Sequence, residues 1–244
     1  MESDDTRPPA RGPSQSAGEF TFSGGTADVY RCQMPWGRKL TKAFYARTPC
    51  RVAQDLVGCV LVRRLEGGGT LAARIIEVEA YLGDGSDPSS HAHVGPTPRN
   101  RSMFGPPGRL YAYKSYGIHT CANVVCEAEG IGAAVLLRAA EPLRGIEIMR
   151  AHRGLDSSAG GRSIASGPGR LAQALGLGIE DDGMSILGRQ FAIYRARDQA
   201  VGDVESGPRI GISKATQLPY RYFVSHHPLV SGPRNPGARR RSTR

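Results

Sequence analysis

Residues 71–81 (LAARIIEVEAY) run without glycine, proline or a turn residue. Their apolar and β-branched content predicts a strand that needs cover on at least one face. Cys59–Leu65 alternates similarly, and the glycine-rich Glu66–Gly69 between them supplies turn chemistry, so the two segments read as a hairpin. Further strands are expected at Leu110–Tyr116, His119–Val125 and Ala133–Ala139, with late ones at Phe191–Arg195, Arg209–Ser213 and Tyr222–Ser225. Helices are expected at Pro49–Val57, stopped by Gly58, at Glu141–His152, where Leu143, Ile146 and Met149 share a stripe, and at Arg170–Leu175. Strands in hairpins with helices set apart predict an α+β fold, a single compact domain with a mainly antiparallel curved sheet and flanking helices.

Both ends differ from this middle. Residues 1–41 are rich in Gly, Pro, Ser and Thr with charges of both signs, too little apolar surface to offset ordering entropy, and predict a disordered leader. Residues 231–244 hold Arg234, Arg239, Arg240, Arg241 and Arg244 and no acid, and predict a disordered, solvated tail. The folded domain is then 42–230. Lys and Arg total 32 against 22 Asp and Glu, and the formal charge of +10 points to a polyanionic partner. Without a long apolar run or a signal pattern, a membrane is not expected and a soluble cytoplasmic protein is. The five cysteines form no CxxC pair, which argues against a disulfide framework and a structural zinc site.

Within Arg74–Tyr81 (RIIEVEAY) the two-residue period of a strand puts Glu77, Glu79 and Tyr81 on one face and Ile76, Val78 and Ala80 on the other. Two solvated glutamates on a half-exposed strand is the plain reading of these residues. The chemical readings are a general base that activates water at an anomeric carbon, or an acid and base pair in an inverting carbohydrase. The cationic balance of the chain weighs against the carbohydrase.

No Asp or Glu occurs between Asp87 and Glu127, while the interval holds Arg99, Arg101, Arg109, Lys114, His91, His93, His119, Phe104, Tyr111, Tyr113 and Tyr116. Cations interleaved with flat rings neutralise phosphates and stack on bases, so nucleic acid is the expected polyanion. Tyr116 precedes Gly117 at an expected turn tip, where a wedge side chain belongs. His91 and His93 lack a third ligand at metal spacing, and no metal is expected.

The residues resemble the alkyladenine (3-methyladenine) DNA glycosylase family from about Phe44 to Ser231. The resemblance is densest in EVEAYLG (Glu77–Gly83), TPRNRSMF (Thr97–Phe104), GRLYAYKSYG (Gly108–Gly117), VLLRAAEPL (Val135–Leu143) and SGPGRLAQALG (Ser166–Gly176). It implies a nucleoid-associated monomer that acts on methylated, deaminated or etheno-bridged purines in double-stranded DNA, with no cofactor and no lyase step. It also assigns residues. Glu79 takes the place of the general base, with Arg138 and the backbone carbonyl of Ile210 fixing the attacking water. Tyr81, His91 and Tyr113 match the residues that sandwich the flipped base, His91 being favoured over His93. Asn123 matches the pocket floor that obstructs the 2-amino group of guanine. Tyr116 matches the ring that fills the gap in the helix, Met103 lies near that intercalating tip, and Arg99 and Arg101 resemble backbone clamps. Arg170 stands where the family usually has lysine, which keeps the charge but changes its donor geometry. A nucleic-acid-binding module of the same fold without catalysis is the alternative.

Overall fold

A computed structural model describes residues 36–197 and 201–232 of the chain. Nine strands form one sheet in which every pairing is antiparallel. They are β1 (Trp36–Lys39), β2 (Val60–Arg64), β3 (Thr70–Tyr81), β4 (Leu110–Ser115), β5 (His119–Cys126), β6 (Ala133–Arg144), β7 (Phe191–Ala196), β8 (Val204–Gly207) and β9 (Arg221–Val224). The order β1-β7-β2-β3-β6-β5-β4 puts the expected acidic strand, β3, at the centre. β6 pairs along β3 on one side. On the other, β2 pairs with residues 70–74 and β9 takes over at residues 77–79. The fold is α+β, with helices α1 (Lys42–Tyr45), α2 (Pro49–Leu56), α3 (Ile146–His152), α4 (Gly161–Ala165) and α5 (Pro168–Ala174).

Alternation divides the sheet into two faces. On the first, Val78, Ala80, Ala122, Val124, Val135 and Leu137 join Val52, Ala53 and Leu56 of α2 and Leu171, Ala172 and Ala174 of α5 in the main core. The opposite face carries Glu77, Glu79, Tyr81, Tyr111, Tyr113, Asn123 and Arg138, as the two-residue period requires.

A paired irregularity makes this division possible. Leu71, Ala73 and Ile75 lie in the helix-side core, so unbroken alternation would carry Glu77 and Glu79 into the same apolar layer. The register jumps instead. Ile75 faces Ala140 while Glu77 faces Ala139, leaving Ile76 as an extra residue in β3. The next pair, Val78 with Leu137, leaves Arg138 as an extra residue in β6. Each bulge inverts the phase of its strand and re-aims the side chains beyond it. Both carboxylates and the arginine emerge on the site face.

Several expectations need correction. The leader does not extend to residue 41. β1 pairs with β7 and the buried Trp36 ring lies 6.3 Å from that of Tyr194, so an aromatic contact orders the end of the supposed leader. Residues 1–35, the rest of that leader, lie outside the described residues. The tail does not begin at Ser231, whose N–H donates to Glu77 at 2.6 Å. Gly232 O accepts from Arg162 at 3.3 Å, and residues 233–244 lie outside the described residues. Glu141–Arg144 is not helix but the end of β6, paired with residues 72–74. The helix starts only after Gly145, which sits at φ 72°, where an added Cβ would come within 2.8 Å of Thr70 O. Arg209–Ser213 is loop, and the unanticipated strand β8 lies just upstream. Among the described residues, no helix is long and apolar enough to cross a membrane.

Candidate active site

The site face opens into a cavity of about 550 Å³. Glu79 stands directly behind its wall. The side chain is fully buried and does not itself line the cavity, but Tyr81, Arg138 and Ile210 do, and each of them binds it. Ile210 N–H donates to Oε1 at 2.7 Å, the Tyr81 hydroxyl donates to Oε2 at 3.0 Å, and Arg138 donates to Oε2 at 3.2 Å. The bond from the Ile210 amide to the carboxylate was not anticipated from sequence. Three donors occupy most of the roughly four lone-pair sites of a carboxylate and leave room for one more, such as a water.

Glu77 is also fully buried, and of its three donors only Arg138 lines the cavity. Arg138 (3.2 Å) and Arg221 (3.1 Å) hold Oε1, and Ser231 N–H holds Oε2. It does not line the cavity. The acid and base pair of a carbohydrase needs two carboxyls facing one substrate, and this face presents none in that arrangement. Arg138 bridges the two carboxylates. Burial alone would lower its pKa, but Glu79 and Glu77 outweigh that and hold it above the ordinary value, so the guanidinium stays charged.

The walls are aromatic. The Tyr111 and Tyr113 rings stack with centroids 5.4 Å apart and 23° between planes, and the His91 ring meets Tyr113 edge-on at 4.6 Å. His91 Nδ1 is 2.8 Å from the Tyr111 hydroxyl. Burial, then the charge of Arg99, lower the pKa of His91, so the ring is neutral at pH 7. His93 instead bonds Gly85 O at 3.1 Å and is absent from the lining, which decides between the two histidines geometrically. Asn123 is buried in the floor, its amide donating to Tyr111 O at 3.0 Å. Burial and the nearby Glu79 charge push the Tyr81 phenol up, so it remains a donor.

At the mouth, the β4–β5 turn holds Tyr116 at φ 50° and Gly117 at φ 71°, and Ser115 O accepts from Ile118 N–H at 3.1 Å. Two successive positive φ angles match the twist of a tight hairpin. They leave Tyr116 86% exposed at the tip, with Ile118, which sequence reasoning overlooked, 71% exposed beside it. Arg99 is exposed, lines the cavity, and donates to Lys114 O at 2.9 Å. Arg101 and Arg170 are exposed outside the lining, with Pro168 of α5 forming part of the wall. Met103 is a correction. It is only 2% exposed and packs with Tyr111, Ala92, Val125 and Ala134, because its unbranched apolar chain fills the floor of the cavity rather than the surface near the tip.

Two positioning residues escaped the sequence reading. Arg209 and Asp87 form a two-pronged pair at 2.6 and 2.7 Å with both side chains fully buried, and Arg209 also donates to Ala80 O at 3.0 Å. Its guanidinium lies 4.6 Å from the centre of the Tyr81 ring. This fixes the chain just before Ile210. Asn100 does the same for the histidine segment, donating to His91 O at 2.9 Å and Gly95 O at 3.0 Å. The signal for Asp87 was its position as the last acid before the acid-free interval, but nothing in spacing links it to Arg209.

A buried carboxylate behind an aromatic-walled cavity, with an exposed tyrosine at its mouth, is an arrangement that suits a glycosylase. Residues 43–228 match the methylpurine-DNA glycosylase (MPG) family. Relatives that carry the name putative 3-methyladenine DNA glycosylase include one from Rhodopseudomonas palustris strain BisB5, 50% identical over 81% of this chain and 92% of the relative. Others are from Nitrobacter winogradskyi, 47% identical over 81% and 89%, and Chlorobaculum parvum, 47% identical over 80% and 91%. The chain belongs to the methylpurine-DNA glycosylase family, and is a DNA glycosylase of base-excision repair.

Proposed function

We propose that this enzyme swings an alkylated purine out of duplex DNA into the aromatic cavity and hydrolyses its bond to deoxyribose with a water activated by Glu79. The observation that carries the reading is the placement of Glu79, held by three donors immediately behind the cavity wall. Stacking shields the glycosidic carbon of a paired base, so extrusion must precede attack. In the extruded state Tyr81, His91 and Tyr113 enclose the base. Glu79 takes a proton from water as the oxygen attacks C1′. The glycosidic bond breaks with its electrons passing to the purine, and a 3- or 7-alkylpurine, already cationic, departs neutral without a proton donor. Asn123, immobilised by its bond to Tyr111, obstructs the 2-amino group of unmodified guanine. Arg99, Arg101 and Arg170 contact backbone phosphates. The enzyme works as a monomer on chromosomal DNA.

Duplex oligonucleotides bearing 3-methyladenine, hypoxanthine or 1,N6-ethenoadenine test this. Heat-labile abasic sites are expected with at least the alkylated base, and a protein that bound these duplexes but released nothing would be a binding module only. Tyr116→Ala is expected to weaken the extruded state by about 1–3 kcal/mol, the worth of one base-aromatic stack. The loss of excision rate should be largest for well-paired lesions, since mismatched ones leave the stack more easily. Single-turnover rates on both duplex types check it, and an equal loss on the two removes the wedge role.

A further inference from the structure

Ile210, Gly211, Ile212, Ser213 and Lys214 line the cavity as one continuous stretch of chain. The stretch is pinned at both ends. Ile210 N–H is bound to Glu79, and the Ser89 hydroxyl donates to Lys214 O. Ala215, next in the chain, holds φ 48°, which a side-chain-bearing residue keeps only where its surroundings impose it. Between the pins, the backbone N–H groups of Gly211 to Lys214 donate to nothing among the described residues, and the exposed Lys214 ammonium has no acidic partner there. A Cβ added to Gly211 would meet nothing within 4 Å, so the backbone lies open to an incoming group. Free amides beside an unpaired cation are the groups that anion binding uses.

A neutral or departing base gives these groups no anion to bind. The anions nearest an extruded nucleotide are the two phosphates that join it to its neighbours. We propose that Lys214, with the amides preceding it, holds one of these two phosphates and so keeps the sugar in place while the base occupies the cavity. This rests on the glycosylase reading above and adds a residue that fixes the substrate's backbone at the lesion itself, separate from Arg99, Arg101 and Arg170.

A binding cycle on the full chain tests it, using a duplex with a non-hydrolysable abasic analogue. Lys214→Ala is expected to weaken binding about tenfold, the scale of one charged hydrogen bond, and to reduce the salt slope by about 0.9. Lys214→Arg should recover most of the affinity. Replacing the two flanking phosphates one at a time by a neutral methylphosphonate identifies the partner. At one linkage the wild-type enzyme should lose the same factor, and Lys214→Ala should lose nothing more. Effects that multiply at both linkages, or unchanged binding by Lys214→Ala, overturn the proposal. Unfolding midpoints equal to wild type are expected, since the side chain is exposed. Failure of the wild-type enzyme to release any base would overturn the glycosylase reading instead, because the cycle reads binding alone.

Discussion

Glu79→Gln is expected to lower the single-turnover rate of base release by about 10²–10⁴, the usual contribution of a general base, while leaving affinity for a lesion duplex nearly unchanged. The amide keeps the size of the carboxylate but cannot take a proton from water. It also cannot satisfy Ile210 N–H, Tyr81 and Arg138 together, because one of its two polar atoms is now a donor. Some stability should therefore be lost as well, and rates must be compared on folded protein. Glu77→Gln has the opposite signature. Its carboxylate is committed to Arg138, Arg221 and Ser231, so the substitution should reduce the unfolding free energy while turnover per folded molecule stays within about tenfold of wild type. Equal loss of turnover in the two variants would mean that both carboxyls take part in chemistry, as in a carbohydrase.

Arg209→Met is expected to destabilise the fold by about 3–5 kcal/mol, the cost of leaving one member of a buried ion pair without its partner. Asp87 would remain fully buried with only the Leu82 and Ser89 amides to bind it. Urea unfolding measures the loss, and a change below about 1 kcal/mol would show that the pair is replaceable. The pH dependence has a definite sign. Burial pushes the Asp87 carboxyl up, but Arg209 and the two amides outweigh it and hold the group below the ordinary range. A depressed folded-state pKa contributes stability that is complete above the unfolded value of about 3.9 and disappears as pH falls through the folded value. Wild type should therefore lose stability faster than Arg209→Met on acidification below about pH 4. Excision should fall too, because Arg209 binds Ala80 O and so anchors the chain just before Ile210.

Local pattern carried most of the sheet into view. The alternation of RIIEVEAY correctly grouped Glu77, Glu79 and Tyr81, and a Tyr–Gly pair correctly marked the hairpin tip at residues 116 and 117. Patterns with a short period reveal what depends on near neighbours. The Arg209–Asp87 pair spans 122 positions and the Ile210–Glu79 bond 131, and neither leaves a mark on spacing. The apolar stripe at Leu143, Ile146 and Met149 misled because a strand and a helix share it, joined at Gly145. Two glutamates, two residues apart, looked interchangeable in sequence. Only their partners separate them, since all three donors to Glu79 line the cavity and two of the three to Glu77 do not.

The coupled bulges at Ile76 and Arg138 give the central strand two opposite phases, one for the first half and one for the half that carries the glutamates. Such a strand keeps its acids on the cavity side only while the extra residue stays bulged out of the ladder. Flattening the bulge at Ile76 with every residue kept would rotate both glutamates toward the oily layer beneath the helices. The kink in this backbone is thus as much a part of the enzyme as the acids it displays.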